Sequence, residues 1–361
     1  MLRRDTRRRL DQFIANPNCR ANVLSAVHDI PMLDVAKDVG LDPEFGQSPF
    51  AIGRGLVFER SLYAEGAERL LAALVAAGVL SASAAGFVDL RTRKNGGPIS
   101  NMDVARALFE GMLQRFAAAS DADRPALPAI LAAPALQIPG RAILPDGMFA
   151  VDVVTVHPAP RPQKVVLRVG EIKVYPDRGG HTDAHQLATT RAQAGIYVHA
   201  LRLAVEAAGV GREVEVDDHG FLVLTRPGSN APSVRAHEDL RFQAKRAERA
   251  FERLREAAAL AEALPADSEG AAIPKARLAV VRDAPKAYEE GCVSFCELER
   301  HCHAEALRDD SPAVLGRDVA RFLGTISLSR AAALLDGAAA ANAAEEDFVR
   351  RVAEARKTVA A

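Results

Sequence analysis

No run of apolar residues in this 361-residue chain is long enough to cross a membrane. The longest, Leu70 to Leu80, falls well short of the roughly 20 residues a membrane helix needs. The first residues carry arginines in place of an apolar secretory core. Asp5 and Asp11, with no serine among them, also set this stretch apart from a mitochondrial presequence. The expectation is a cytoplasmic protein with no membrane partner.

Excess positive charge is missing as well. A formal net charge of -1 and a pI near 6.8 exclude a global basic field, so any surface for a polyanion must be local. The local candidates are the arginines of the first nine residues and the stretch Arg235 to Arg255, which reads as part of a charged helix after Pro232. Mixed charge on such a helix suits a solvated face as well as a DNA groove. Cysteine is scarce: four in a chain of this length exclude a disulfide scaffold. There is no G-x-x-x-x-G-K-[ST] phosphate loop, no G-x-S-x-G elbow and no internal repeat, so ATP-driven unwinding and serine hydrolysis have no support.

What is present is 49% hydrophobic residues, ample for a sizeable core and about two domains at this length. Gly53 and Gly55 precede a helical pattern from Leu56 to Leu80 that carries Glu59 in its first turn. A second helix is expected at about Asn101 to Ala119. From Leu136 the apolar period changes to two: LQIPGRAIL, a Pro145-Asp146-Gly147 turn, MFAVDVVTVH, a proline-rich connection and KVVLRVGEIKVY. A helix from Thr182 to Ala208 follows, with Thr182 or Asp183 as N-cap, and then EVEV and GFLVLTR as a hairpin-like pair. Ala-rich helical segments fill most of the remainder.

The run KVVLRVGEIKVY places Glu171 and Lys173 two apart, on one side of a strand and in apolar company. Charges there demand partners. If MFAVDVVTVH pairs antiparallel with this strand around a turn near Arg161, Asp152 falls almost opposite Glu171. Two facing carboxylates repel, and a divalent cation relieves that repulsion. Lys173 would orient or help deprotonate a water, or neutralise charge on a phosphorane. A solvent-facing amphipathic hairpin is the structural alternative. Asp146 rivals Asp152, but it occupies a turn signal. On the following helix Gln186, Gln193 and Tyr197 share one face, within roughly 40° of one another at 100° per residue. Tyr197 alone would also suit a core aromatic, and Glu59 alone a carboxylate at a helix N-terminus. His181 and His185 flank the expected cap, and His219 occupies a turn.

Asp152, then Glu171-Ile172-Lys173, then Gln193 with Tyr197, resembles the RecB-type branch of the PD-(D/E)XK nucleases. The resemblance implies an α/β fold with an αβββαβ core and a central mixed sheet. It also implies a Mg or Mn ion held by Glu59, Asp152, Glu171 and the carbonyl of Ile172. Many members have histidine in a G-x-x-H pattern, whereas Gly55-Leu56-Val57-Phe58-Glu59 has Phe there and Glu next. The implied activity is metal-dependent hydrolysis of DNA, as an exonuclease or end-processing enzyme on single strands or free ends. The settings implied are repair, CRISPR adaptation or phage defence, with protein partners in such complexes. The alternatives are a non-catalytic nucleic-acid-binding subunit and a zinc-stapled helical adaptor.

Cys292-x3-Cys296-x5-Cys302, with Cys19 remote, resembles the iron-sulfur version of the same branch, found in CRISPR-associated RecB-like nucleases and the AddB subunit. There, one cysteine precedes the core and three follow it, holding a 4Fe-4S cluster. Many relatives have two residues between the first pair of the trio, and this chain has three. Four thiolates also suit zinc, for which His301 or His303 could substitute as ligands. The expected organisation is an N-terminal segment over 1–50, a nuclease core over 51–232, a helical and three-cysteine region over 233–310 and a helical tail over 311–361.

Overall fold

The computed structural model describes residues 13, 16–28, 30–41, 49–91, 101–120, 122–138, 147–159, 165–258, 275–289, 292 and 296–360. In chain order the elements are helices α1 (Arg20–Val27), α2 (Met32–Asp38) and α3 (Pro49–Ala76), strand β1 (Phe87–Asp89) and helix α4 (Met102–Ala118). Strands β2 (Ile130–Ala132), β3 (Ala135–Ile138), β4 (Gly147–Ala150), β5 (Val153–Pro158) and β6 (Val165–Pro176) follow, then helix α5 (Ala184–Ala207). Next come β7 (Val214–Val216), β8 (His219–Thr225) and β9 (Pro232–Asp239). The last helices are α6 (Arg241–Ala258), α7 (Lys275–Arg282), α8 (Glu299–Arg308), α9 (Arg317–Leu323), α10 (Leu328–Leu335) and α11 (Ala343–Ala360). The fold is α/β with a central mixed sheet. Described residues within Gly46–Glu252 form one compact unit, and those of Arg8–Phe45 with Arg253–Ala361 form a second.

In the first unit β6 is the spine of a sheet ordered β1-β2-β5-β6-β8-β9. Strand β5 runs antiparallel to β6, from Pro158 opposite Val165 to Val153 opposite Gly170. Strand β8 runs parallel on its other side. One face of the sheet presents Val153, Ile172, Phe221 and Val223 to Phe58, Leu62, Leu70 and Leu74 of α3. On another cluster Leu187 of α5 meets Leu222 and Leu224. Each fully buried large apolar side chain contributes about 1.5–3 kcal/mol. Apolar cover on both faces is why β6 reads as a nearly continuous apolar run. A Cβ on Gly170 would lie 2.2 Å from the Phe221 ring and 2.7 Å from Val153, so the position ahead of Glu171 is filled by that ring.

Four expectations are corrected. Helix α3 begins at Pro49, so Gly53 and Gly55 lie within it and Glu59 is well past its first turn. It is also interrupted: Ala64 leaves helical geometry, and Glu65, Gly66 and Ala67 take φ of 53°, 70° and 62°. The stretch MFAVDVVTVH is two strands, because the chain bends at Asp152. Strand β4 pairs with β3 in a small separate sheet, and β5 joins the main one. EVEV and GFLVLTR do not form a hairpin. Both lie parallel to β6, one after the other along its edge. After Pro232 the chain first makes β9, antiparallel to β8, before α6 begins. Asp146 lies outside the described residues.

The second unit is helical. Its core joins Cys19, Ala21, Ile30, Met32, Val35 and Ala36 from the start of the chain to Leu278, Val281, Cys292, Cys296 and Leu298 from nearly three hundred residues later. Arg282 reinforces this packing with an ion pair to Asp38 at 3.1 Å. Helices α9 to α11 carry a smaller core of Leu323, Ile326, Ala331, Leu334 and Phe348.

Candidate functional site

Strand alternation puts Glu171 and Lys173 on one side of β6. The Glu171 side chain is fully buried, and its Oε1 accepts from Lys173 Nζ at 2.5 Å. Burial pulls the Lys173 ammonium down, but the charges of Glu171 and Asp152 and the Glu171 hydrogen bond outweigh it, so its pKa lies above the ordinary value. Val153 is the last residue of β5 paired with β6, opposite Gly170, so Asp152 comes one step further, level with Glu171. It is fixed there twice. Its Oδ2 accepts from the Ile172 backbone N–H at 2.9 Å, and its carbonyl accepts from the Tyr63 hydroxyl at 2.6 Å. The antiparallel register read from the sequence is the one observed, and Asp152 and Glu171 are brought together.

Glu59 sits on α3, four residues ahead of Tyr63, which gives both side chains the same helix face. Burial raises the Glu59 carboxyl pKa more than the Arg91 charge lowers it, and the negative charges of Asp152 and Asp89 push the same way. Its partner is Arg91, whose Nη1 lies 2.6 Å from Glu59 Oε1. Arg91 in turn grips Asp89 with Nε and Nη2, each at 3.0 Å, and lies 4.7 Å from the centroid of the Tyr63 ring. Asp89, Arg91 and Tyr63 belong to no motif in the sequence. The local signal is an aspartate that ends a short strand and an arginine two residues on.

On α5, of the two caps the sequence offers, Thr182 and Asp183, it is Asp183 that caps the helix, accepting from the Gln186 N–H at 2.9 Å. Tyr197 is buried, and Gln193 Nε2 donates to its hydroxyl at 2.7 Å, so these two form a unit. The Gln186 carbonyl accepts from Thr190 within the helix. Arg235 is on β9 and not on a helix. It bonds Glu238 at 2.7 Å and the Gly180 carbonyl at 2.8 Å, and Arg191 bonds the same buried Glu238 at 2.5 Å.

In the second unit Cys19, Cys292, Cys296 and Cys302 are all buried and unbridged. Burial raises the thiols of Cys292 and Cys296, the latter strongly, and pushes Cys302 up to about 12, with the neighbouring cysteines adding to each shift. Cys292 Sγ accepts two N–H groups, from Asn16 Nδ2 at 3.3 Å and from the Glu289 backbone at 3.4 Å. Lys286, nearly inaccessible, is paired with Glu305 at 2.7 Å, and its charge reaches Cys302. His301 and His303 are turned to Glu305 and Glu299, at 3.6 and 3.1 Å. Among the described residues no group of three or more His, Cys, Asp or Glu side chains is spaced to hold a single metal ion.

No protein-family model, no curated protein and no solved structure matches this chain.

Mg2+ keeps several waters and commonly takes one or two protein carboxylates plus substrate phosphates. Asp152, just ahead of β5, and Glu171, midway along β6, supply two such carboxylates. For the cysteines, Cys292, Cys296 and Cys302, whose thiols are held protonated chiefly by burial, suit a site whose protons are given up to a metal. The N–H donors on Cys292 Sγ are the kind of outer partner that stabilises a metal-bound thiolate.

Proposed function

We propose that this chain is a divalent-metal-dependent DNA nuclease with a PD-(D/E)XK-type core. A single arrangement supports this most: Asp152, held by the Ile172 N–H, is level with a fully buried Glu171 whose carboxylate is bonded to Lys173. Burying such a carboxylate beside a second one is costly unless cations are supplied, and Lys173 is one such cation.

Asp152 and Glu171 would hold Mg or Mn together with the carbonyl of Ile172, and Glu59 would join them on leaving Arg91. The ion, when bound, polarises a phosphoryl oxygen and makes a water more acidic. Lys173 keeps its proton throughout the neutral range, so its work is to position the attacking water and to oppose negative charge that builds on the phosphate. Gln193, bonded to Tyr197, would offer an amide to the nucleic-acid backbone. The substrate would be DNA with single-stranded character or free ends. The four cysteines would hold a 4Fe-4S cluster, with zinc as the other occupant their chemistry allows.

The test is cleavage of end-labelled single- and double-stranded DNA by the full chain with Mn or Mg, beside Lys173→Ala. Loss of about a hundredfold or more in the variant is expected. Equal cleavage by both proteins would sink the assignment. One observation favours a second reading, a non-catalytic DNA-binding subunit: Lys173 and Arg91 already neutralise Glu171 and Glu59 without a metal. That reading requires metal-independent DNA binding and no cleavage. Iron with acid-labile sulfide, against zinc alone, separates the two occupants of the cysteine site.

A further inference from the structure

Arg91 holds three groups at once. Its Nε and Nη2 clamp the two oxygens of Asp89, its Nη1 bonds Glu59, and its plane lies against Tyr63. Two of these partners are fixtures. Asp89 belongs to β1, and Tyr63 is a buried ring stacked on Phe87 at 5.6 Å with its hydroxyl on the Asp152 carbonyl. Glu59 is the third, and its carboxylate lies in the fields of both Asp152 and Lys173. The Arg91 side chain is 41% exposed, so solvent and ligands reach it beside the site.

A guanidinium has five N–H groups in one plane, a fork that matches phosphate oxygens. Asp89 and Glu59 account for three of them. With Asp89 and the Tyr63 ring fixing its orientation, the guanidinium meets an incoming phosphate with little further ordering to do.

We propose that Arg91 is a phosphate-binding residue of the active site, and that its ion pair with Glu59 is a latch exchanged when Glu59 turns to the metal and Arg91 to the DNA backbone. This rests on the nuclease reading for Asp152 and Glu171. Arg91 and the cation then compete for one carboxylate, so removing Arg91 has effects of opposite sign: the metal binds more tightly and DNA more weakly. A merely structural prop would weaken both.

The experiment uses the full chain as wild type, Arg91→Gln and Arg91→Lys. Mn2+ affinity is measured by calorimetry on the DNA-free proteins, and KM and kcat are measured on end-labelled single-stranded DNA at saturating Mn2+. Arg91→Gln is expected to bind Mn2+ several-fold more tightly and to raise KM about tenfold, with a smaller effect on kcat, since a charge-assisted hydrogen bond is worth about one decade. Arg91→Lys keeps the charge without the fork. It should bind Mn2+ as wild type does and still raise KM. If Arg91→Gln does not fold, the lysine variant alone decides through KM. Unchanged or weaker Mn2+ binding in a folded Arg91→Gln protein, or an unchanged KM in both variants, would overturn the latch. Failure of the underlying reading looks different: the wild type itself would neither bind Mn2+ nor cleave.

Discussion

Asn16 and Cys292 are joined by an N–H···S hydrogen bond of 3.3 Å across 276 positions of the chain. The same amide nitrogen donates to the Ala287 carbonyl at 2.5 Å, and the Asn16 side chain is almost wholly buried. Asn16 opens a turn through Pro17 and Asn18 directly ahead of Cys19, so one tight turn delivers both a cysteine and an amide to the second unit's core.

Asn16→Ala should therefore do more than trim a side chain. It leaves a buried carbonyl and a sulfur without their donor, at a cost of about 1–3 kcal/mol. Asn16→Asp, which keeps the shape but brings an acceptor and a charge toward the sulfur, should cost at least as much. The measurement is Tm together with iron, sulfide and zinc per chain. Wild-type stability and metal content in Asn16→Asp would show that the contact is incidental.

Lys173→Met removes the counter-charge of a fully buried carboxylate. Breaking such a pair costs about 3–5 kcal/mol, and the partial exposure of Lys173 puts this case toward the lower end. In the metal-free variant the carboxyl of Glu171 escapes the cost by taking up a proton, so the lost stability should return as pH is lowered. Mn2+ should restore it at neutral pH, since a ligand that binds only the native state stabilises it. Thermal denaturation with and without Mn2+ separates a cation site from a plain ion pair, for which Mn2+ would change nothing.

His157 supplies a pH prediction. Burial, aided by the Arg168 charge, lowers its pKa from 6.5 to about 4, and its Nε2 lies 2.8 Å from the buried Thr155 hydroxyl. The unfolded chain takes up the proton first, so the stability from a neutral His157 is fully present above about 6.5 and is lost as pH falls toward about 4. A His157→Gln variant should lose less Tm than wild type across that window. Parallel Tm–pH curves would refute the assignment.

The sequence made the strand register legible because apolar alternation and a central turn constrain antiparallel strands to one pairing. It also made the helix cap legible to within one residue, at Thr182 or Asp183, since a short polar side chain before an apolar helix does one job well. Short or charged strands were not legible. β1 and β2 have three residues each, and β9 reads as polar because it is the sheet edge. Asp217-Asp218-His219-Gly220 looked like a hairpin turn. Instead, Asp217 Oδ2 is gripped by Arg168 Nε and Nη2 at 3.0 and 2.7 Å while its N–H bonds the Leu167 carbonyl, which breaks the strand without reversing it. The carboxylates of the candidate site were readable as residue types. Arg91 was not, because its meaning depends on Glu59, 32 positions away.

The left-handed turn at Glu65, Gly66 and Ala67 divides labour within α3. Glycine takes such a backbone freely, whereas each of the other two gives up about 1–2 kcal/mol, which the buried side chains on either side must offset. An unbroken helix would transmit every adjustment of Leu70 or Leu74 along its axis to Tyr63 and Glu59. With the rod severed, the half that carries Leu70 and Leu74 and the half that carries Glu59 and Tyr63 communicate through the shared apolar core and not through a continuous ladder of helix hydrogen bonds.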